Sequence, residues 1–122
     1  MLTDQCVYTI RHSSDLKASC ADGGSGQYDE RKNWQTAKRL LDAAQRSGKR
    51  LPIIFAPAER TSRLFGWALI DDITPGTITT YSFSGLQQFE NSPAKSTLKK
   101  ARDGKRLGNR FIRPSAICLT PS

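Results

Sequence analysis

The stretch from residue 63 to residue 89 constrains the fold more than any other part of this sequence. It reads RLFGWALIDDITPGTITTYSFSGLQQF, with Pro75 and Gly76 between two strand-like runs. The first run, residues 64–70, is apolar on both alternating faces, which is typical of a strand covered on both sides. The second, residues 77–83, carries β-branched and aromatic side chains that suit a pleated sheet. The sequence therefore predicts a long β-hairpin, with Gly76 at the positive φ of a type II turn.

Three further segments are predicted to be strands. Residues 6–10 (CVYTI) and 51–55 (LPIIF) are short apolar runs. Residues 111–119 (FIRPSAICL) are predicted to form a closing strand, in which Pro114 marks an edge or a bulge. Residues 22–26 (DGGSG) are predicted to be a loop, because no Gly-Lys-Ser/Thr follows them as in a phosphate loop.

Residues 29–47 are predicted to form an amphipathic helix that begins at Asp29 and ends before Gly48. One stripe of this helix carries Trp34, Ala37, Leu41 and Ala44. Two interpretations of Trp34 follow from the sequence. Its indole ring either packs in the core or lies at a cavity mouth and stacks on a base.

Residues 91–104 are predicted to form a second helix. Ser92 is a suitable N-cap, Pro93 suits the first helical position, and Gly104 suits the position after the end. In that helix Lys95, Lys99 and Arg102 would form a basic stripe opposite an apolar face.

The positive charge of the chain is concentrated near its end. Residues 1–94 carry 11 Lys/Arg and 10 Asp/Glu, whereas residues 95–122 carry 8 Lys/Arg and a single Asp. This asymmetry favours a polyanionic partner, with nucleic acid ahead of an anionic membrane surface. The alternative is a solvated face that only keeps the protein soluble.

The 122 residues are predicted to form one domain, residues 1–122, without a cofactor or a metal ion. The three cysteines include no CxxC pair, and His12 is the only histidine. No signal peptide and no apolar run of membrane-spanning length is present, so we expect a cytoplasmic protein that does not enter a membrane.

The segments GKRLPIIFAP (residues 48–57) and LFGWALIDDI (residues 64–73) resemble the PUA-like superfamily, which includes the ASCH, EVE and YTH domains. The resemblance implies an α+β fold: a small PUA-like mixed β-barrel of about five to six strands with two or three flanking helices. It also implies recognition of RNA or DNA, with a modified or flipped base held in a pocket at the barrel mouth.

The candidate site combines aromatic rings for a base with cations for phosphates, which supply affinity rather than sequence choice. No residue is predicted to be catalytic. The candidate nucleic-acid-binding residues are Trp34, Lys38, Arg63, Tyr81, Lys95, Lys99, Lys100, Arg102, Lys105, Arg106, Arg110 and Arg113.

Two alternatives to a nucleic-acid-binding domain stay open at this point. The resemblance to ASCH-type proteins implies a small amidohydrolase acting on modified nucleosides, for which Lys17, Thr36 and either Glu59 or Asp71 are candidates. The other alternative is a protein-interaction module whose basic face meets an acidic partner.

Overall fold

The computed structural model describes residues 1–60, 62–101 and 103–108, together with the backbone of residues 116–119. Within these ranges the chain forms two α-helices, α1 (Ser13–Ala21) and α2 (Gln35–Arg46). A single 3-10 turn spans Lys95–Thr97. The strands are β1 (Gln5–Arg11), β2 (Gly26–Glu30), β3 (Pro52–Pro57), β4 (Gly66–Thr74), β5 (Thr79–Gln88), β6 (Lys99–Lys100) and β7 (Ala116–Leu119).

The strands form one mixed sheet in the order β2-β5-β4-β3-β1-β7-β6. Strands β1 and β3 run parallel, and the other neighbours pair antiparallel. The five longer strands curl strongly. The rings of Tyr28 on β2 and Phe55 on β3 meet edge to face at 6.4 Å, although a flat sheet would hold strands three positions apart at about 14 Å. The predicted α+β class is confirmed as a curled, barrel-like sheet with two helices.

The predicted hairpin is confirmed, with strands longer than expected. Strands β4 and β5 pair antiparallel from Gly66↔Gln88 to Thr74↔Thr80, with two irregularities in register. The predicted type II turn is wrong, because Gly76 does not adopt a positive φ.

Both helices cover one face of the curled sheet, here called the inner face. The α2 stripe lies against it, and Trp34, Ala37, Leu41 and Ala44 are all almost fully buried. Helix α2 ends as predicted, with Gly48 at φ 69°. The other side, here called the outer face, has its own core, whose buried members are Cys6, Tyr8, Ile54, Ala56, Leu64, Leu98 and Leu107.

The start predicted for the first long helix is wrong. Asp29 and Glu30 belong to strand β2, which pairs with β5 through Tyr28↔Tyr81 and Glu30↔Thr79. Pairing with β5 therefore outweighs the capping propensity of Asp29. Helix α1 was not predicted; its sequence carries no apolar stripe, and only Leu16 and Ser19 are buried.

The helix predicted for residues 91–104 is also wrong. The backbone of this segment bonds across to residues 62–64 instead, since Lys95 N donates to the Ser62 carbonyl at 2.9 Å and Leu64 N to that of Pro93 at 2.8 Å. Lys99 and Lys100 then pair with β7. These long-range backbone bonds satisfy the donors that a helix would have satisfied locally. The predicted closing strand is present over Ala116–Leu119, while residues 111–115 lie outside the described part.

Candidate nucleic-acid interface

A tight turn at the β6 end of the sheet gathers four of the predicted cations. Lys99 bridges to Arg106, Lys100 N donates to the Lys105 carbonyl at 2.9 Å, and Gly104, at φ 71°, closes the turn. Residues 99–106 are called the basic hairpin here. Lys99, Lys105 and Arg106 are exposed, and Lys100 is half-buried.

Like charges face each other across the basic hairpin. Lys99 and Arg106 are direct partners in the bridge, an arrangement that destabilises paired strands when both residues carry the same charge. Asp103 is the one described carboxylate within the hairpin, and it is engaged by Lys100 at 3.6 Å and by the Lys105 backbone N–H at 3.0 Å. Those hydrogen bonds and charges lower the pKa of Asp103. Among the other cations of the hairpin, Arg106 donates from Nη1 to the Ser96 carbonyl at 3.1 Å. Lys99, Lys105 and Arg106 are all exposed, so an anion in solvent can reach them.

Lys95 does not belong to this surface, and its predicted phosphate contact is wrong. The residue has no accessible surface, and its Nζ lies 5.7 Å from the centre of the Tyr8 ring on the outer face. Burial lowers the pKa of the Lys95 ammonium. The predicted basic stripe required a helix, whereas the backbone N–H of Lys95 bonds to the Ser62 carbonyl at 2.9 Å and holds this segment against the outer face.

The remaining predicted cations lie elsewhere or outside the described residues. Lys38 is on α2 and pairs with Asp42 at 3.3 Å. Arg63 is exposed, bridges to Ala94 and donates from Nη1 to the Ser92 carbonyl at 3.4 Å. The predictions for Arg102, Arg110 and Arg113 fall outside the described residues.

Trp34 and Tyr81 do come together, but they fill each other's space. Their rings stack with centres 4.5 Å apart and planes 19° apart, and each residue is 1% exposed. The gap that a base would need between them is therefore closed, and the interpretation of Trp34 as a core residue holds in this structure. Burial is also the main reason why the pKa of Tyr81 lies well above its usual value.

A partly buried polar cluster on the inner face was missed by the sequence analysis. Arg11, at the end of β1, donates from Nη1 to the Asp29 carbonyl of β2 at 3.2 Å and lies 3.9 Å from a Glu30 carboxylate oxygen. Its guanidinium also lies over the Tyr28 ring at 4.2 Å. Because β1 and β2 are far apart in the strand order, these contacts close the curled sheet at one end, here called the mouth. A period-two pattern of Tyr28 and Glu30 could have revealed that both side chains face inward.

Several polar atoms at the mouth have no hydrogen-bond partner in the described part of the chain. They are the hydroxyls of Thr9 and Tyr81, one carboxylate oxygen of Glu30 and the indole N–H of Trp34. Both hydroxyls are close enough to the Glu30 carboxylate to lower its pKa, although neither meets the geometry of a hydrogen bond. Burial raises the pKa of Glu30, and Arg11 only partly offsets this effect. Buried polar atoms of this kind mark either hydration or a ligand position.

An apolar groove of about 360 Å³ opens on the outer face. Trp67 and Phe89, both partly exposed, supply its aromatic walls. The groove is lined by Leu2, Pro52, Ile54, Leu64, Trp67, Phe89, Pro93 and Thr97.

The carboxylates considered for a hydrolase are engaged in separate structural contacts. Glu59 accepts hydrogen bonds from Ser13 N at 3.1 and 3.2 Å, which satisfies the start of α1, and lies 3.2 Å from His12 Nδ1. Asp71 accepts from Arg50 at 3.1 Å and from Ser84 at 3.2 Å. Over the residues that the structure describes, no group of three His, Cys, Asp or Glu side chains is placed to bind a metal ion.

Neither a protein-family profile nor a curated protein sequence matches this chain. In the described ranges no helix has the length and apolar character needed to cross a bilayer.

Proposed function

We propose that this protein binds nucleic acid and that the basic hairpin holds the phosphates. The observation that supports this proposal is the like-charge pair Lys99↔Arg106, with Lys105 exposed beside it. A pair that destabilises the free protein becomes favourable when a phosphate lies between the two cations. Phosphate contacts of this kind supply affinity that is independent of sequence and sensitive to salt.

The distribution of charge supports nucleic acid over a general solubilising surface. Residues 1–94 are close to neutral, while the segment that contains the basic hairpin holds most of the net charge of +8. A solubilising surface needs no such concentration, whereas a polyanion is attracted by one strong local field. The fold proposed here is of the PUA-like kind, which agrees with a curled α+β sheet.

The resemblance also implies a flipped or modified base at the mouth. The closed Trp34–Tyr81 stack leaves the Glu30 carboxylate as the described group best suited to pair with the edge of a base. This part of the proposal is tested by titrating free nucleosides into the protein and into Glu30→Gln. We expect weaker nucleoside binding by the variant, and equal binding would contradict a role for Glu30.

The basic hairpin is tested by removing its three exposed cations together. The variant is Lys99→Gln with Lys105→Gln and Arg106→Gln. The matched control is Lys17→Gln with Arg39→Gln and Arg46→Gln, which removes the same charge from exposed helix positions. Labelled single- and double-stranded DNA and RNA are titrated at several salt concentrations, and the anisotropy of the label reports binding.

We expect the hairpin variant to lose affinity for all sequences while the control keeps most of it. The slope of log K against log salt should fall by up to about 2 for single strands and about 3 for duplexes, since each phosphate contact contributes roughly 0.7 or 0.9. Equal losses in both variants would show that only net charge matters. If the hairpin variant kept both its affinity and its salt slope, the proposal would be refuted. Binding of an acidic protein instead of an oligonucleotide would favour a protein-interaction module.

A further inference from the structure

The apolar groove and the basic hairpin lie at the same end of the sheet. Across the sheet from β6 to β1, Lys100 pairs with Cys118, and Cys118 pairs with Cys6. Cys6 lies level with Pro52 on the next strand, β3, because β1 and β3 run parallel from the pair Val7↔Ile53. Pro52 is part of the groove. At about 4.8 Å per strand, the groove begins roughly 14 Å from the hairpin across the sheet.

The chain itself also links the two features. Thr97 lines the groove, and Lys99 opens the basic hairpin only two residues later. On the other side, exposed Arg63 directly precedes the groove residue Leu64 and bridges to Ala94. The groove is therefore apolar inside and bordered by cations along the chain.

The mouth lies farther away. Arg11 is five residues beyond Cys6 on β1, which corresponds to about 17 Å along the strand, and its side chain faces the inner side of the sheet. The groove is on the outer face. When the basic hairpin holds the phosphate of one nucleotide, the neighbouring nucleotide is therefore closer to the groove than to the mouth.

We propose that the groove receives unpaired bases of a single strand whose phosphates lie on the basic hairpin. This inference rests on the proposed function and names the strandedness of its target. Trp67 and Phe89 present partly exposed rings, and every base has a flat face that stacks on an aromatic side chain. The bases of a duplex are already stacked and paired, so a duplex gains nothing from the groove.

The charge around the groove favours a nucleic-acid strand over a purely apolar ligand. The exposed cations Arg63, Lys99, Lys105 and Arg106 border it or follow it in the chain. A single strand can use both features, because its bases stack in the groove while its phosphates contact the basic hairpin. An anionic membrane surface would also meet cations and an apolar groove, so vesicles are included among the probes.

The first measurement uses the unsubstituted protein and its tryptophan fluorescence. Trp34 is 1% exposed, so quenching by a bound strand reports on Trp67. The probes are an unlabelled oligonucleotide without secondary structure, its blunt duplex, and vesicles with and without an anionic phospholipid. We expect the single strand alone to quench the fluorescence, in a saturable manner.

The second measurement compares Trp67→Leu and Phe89→Leu with the control Ile78→Leu. Ile78 is an exposed apolar residue outside the groove. We expect the aromatic substitutions to weaken single-strand binding by about 5- to 150-fold per lost stack. Duplex binding should not change, and unfolding curves show whether each variant is folded.

The outcomes separate this inference from the proposed function. Strand binding without quenching, and unaffected by both aromatic substitutions, would overturn the groove while leaving the basic hairpin intact. The groove would also be overturned, and the basic hairpin kept, if the hairpin variant lost binding while the unsubstituted protein bound single strand and duplex with equal affinity. Quenching by anionic vesicles but by no oligonucleotide would overturn both proposals in favour of a membrane surface.

Discussion

Replacing Trp34 with alanine is expected to destabilise the protein by about 3–5 kcal/mol, the usual cost of truncating a buried aromatic side chain. The residue is 1% exposed, stacks on Tyr81 at 4.5 Å and begins the buried stripe of α2. For a domain of this size the melting temperature should fall by roughly 10–25 °C. This magnitude follows only if the indole is a core group.

Replacing Trp34 with phenylalanine should cost much less, about 1–2 kcal/mol. The phenyl ring keeps an aromatic surface on Tyr81, and the lost indole N–H makes no hydrogen bond to the described residues. Urea unfolding followed by far-UV circular dichroism gives the free energy of unfolding of both variants. Oligonucleotide binding of the folded phenylalanine variant should equal that of the unsubstituted protein.

The opposite pattern would contradict a core position for the Trp34 indole. If Trp34→Ala lowered the free energy of unfolding by less than about 1 kcal/mol and abolished oligonucleotide binding, the indole would be a binding group on an accessible surface. The stack with Tyr81 would then have to open in solution.

Two further predictions concern buried polar groups. Because burial raises the pKa of Glu30 above its usual 4.5, the folded protein should lose stability as the pH rises from about 4.5 through that raised value. Glu30→Gln should remove this loss and give a higher free energy of unfolding than the parent near pH 7.5, with little difference near pH 3.5. A variant less stable than the parent at pH 7.5 would show that the attraction between Arg11 and the Glu30 carboxylate outweighs the cost of burying that carboxylate. Thr79→Val should destabilise by about 1–2 kcal/mol, because the buried Thr79 hydroxyl accepts from Trp34 N at 3.1 Å and donates to the Lys32 carbonyl. Urea unfolding measures this change in the free energy of unfolding, and Thr80→Val, at a partly exposed position, is the control. Equal effects of the two substitutions would contradict a structural role for the Thr79 hydroxyl.

Local patterns were sufficient to predict the β4–β5 hairpin, strands β1 and β3, and the body of α2 up to Gly48. In each of these segments the apolar period and the turn residues favour the same structure. The concentration of cations near residues 99–106 was likewise visible in the sequence, since it depends only on composition.

The elements that were predicted wrongly depend on partners distant in the chain. Strand β2 exists because its backbone pairs with β5, about 50 residues away, and residues 91–104 are held by bonds to residues 62–64 and by pairing with β7. Local helix signals are worth only about 1 kcal/mol each, so a set of long-range backbone hydrogen bonds with burial outweighs them.

The candidate surfaces were also predictable only in part from the sequence. Residue types alone indicated which cations could contact phosphate, but only the tertiary structure decided that Lys95 is buried while Lys99 and Arg106 face each other. The curl of the sheet likewise brings Arg11 to Glu30 and stacks Trp34 on Tyr81. Such contacts follow from register and curvature, which join strands that are remote in sequence and which no local pattern encodes.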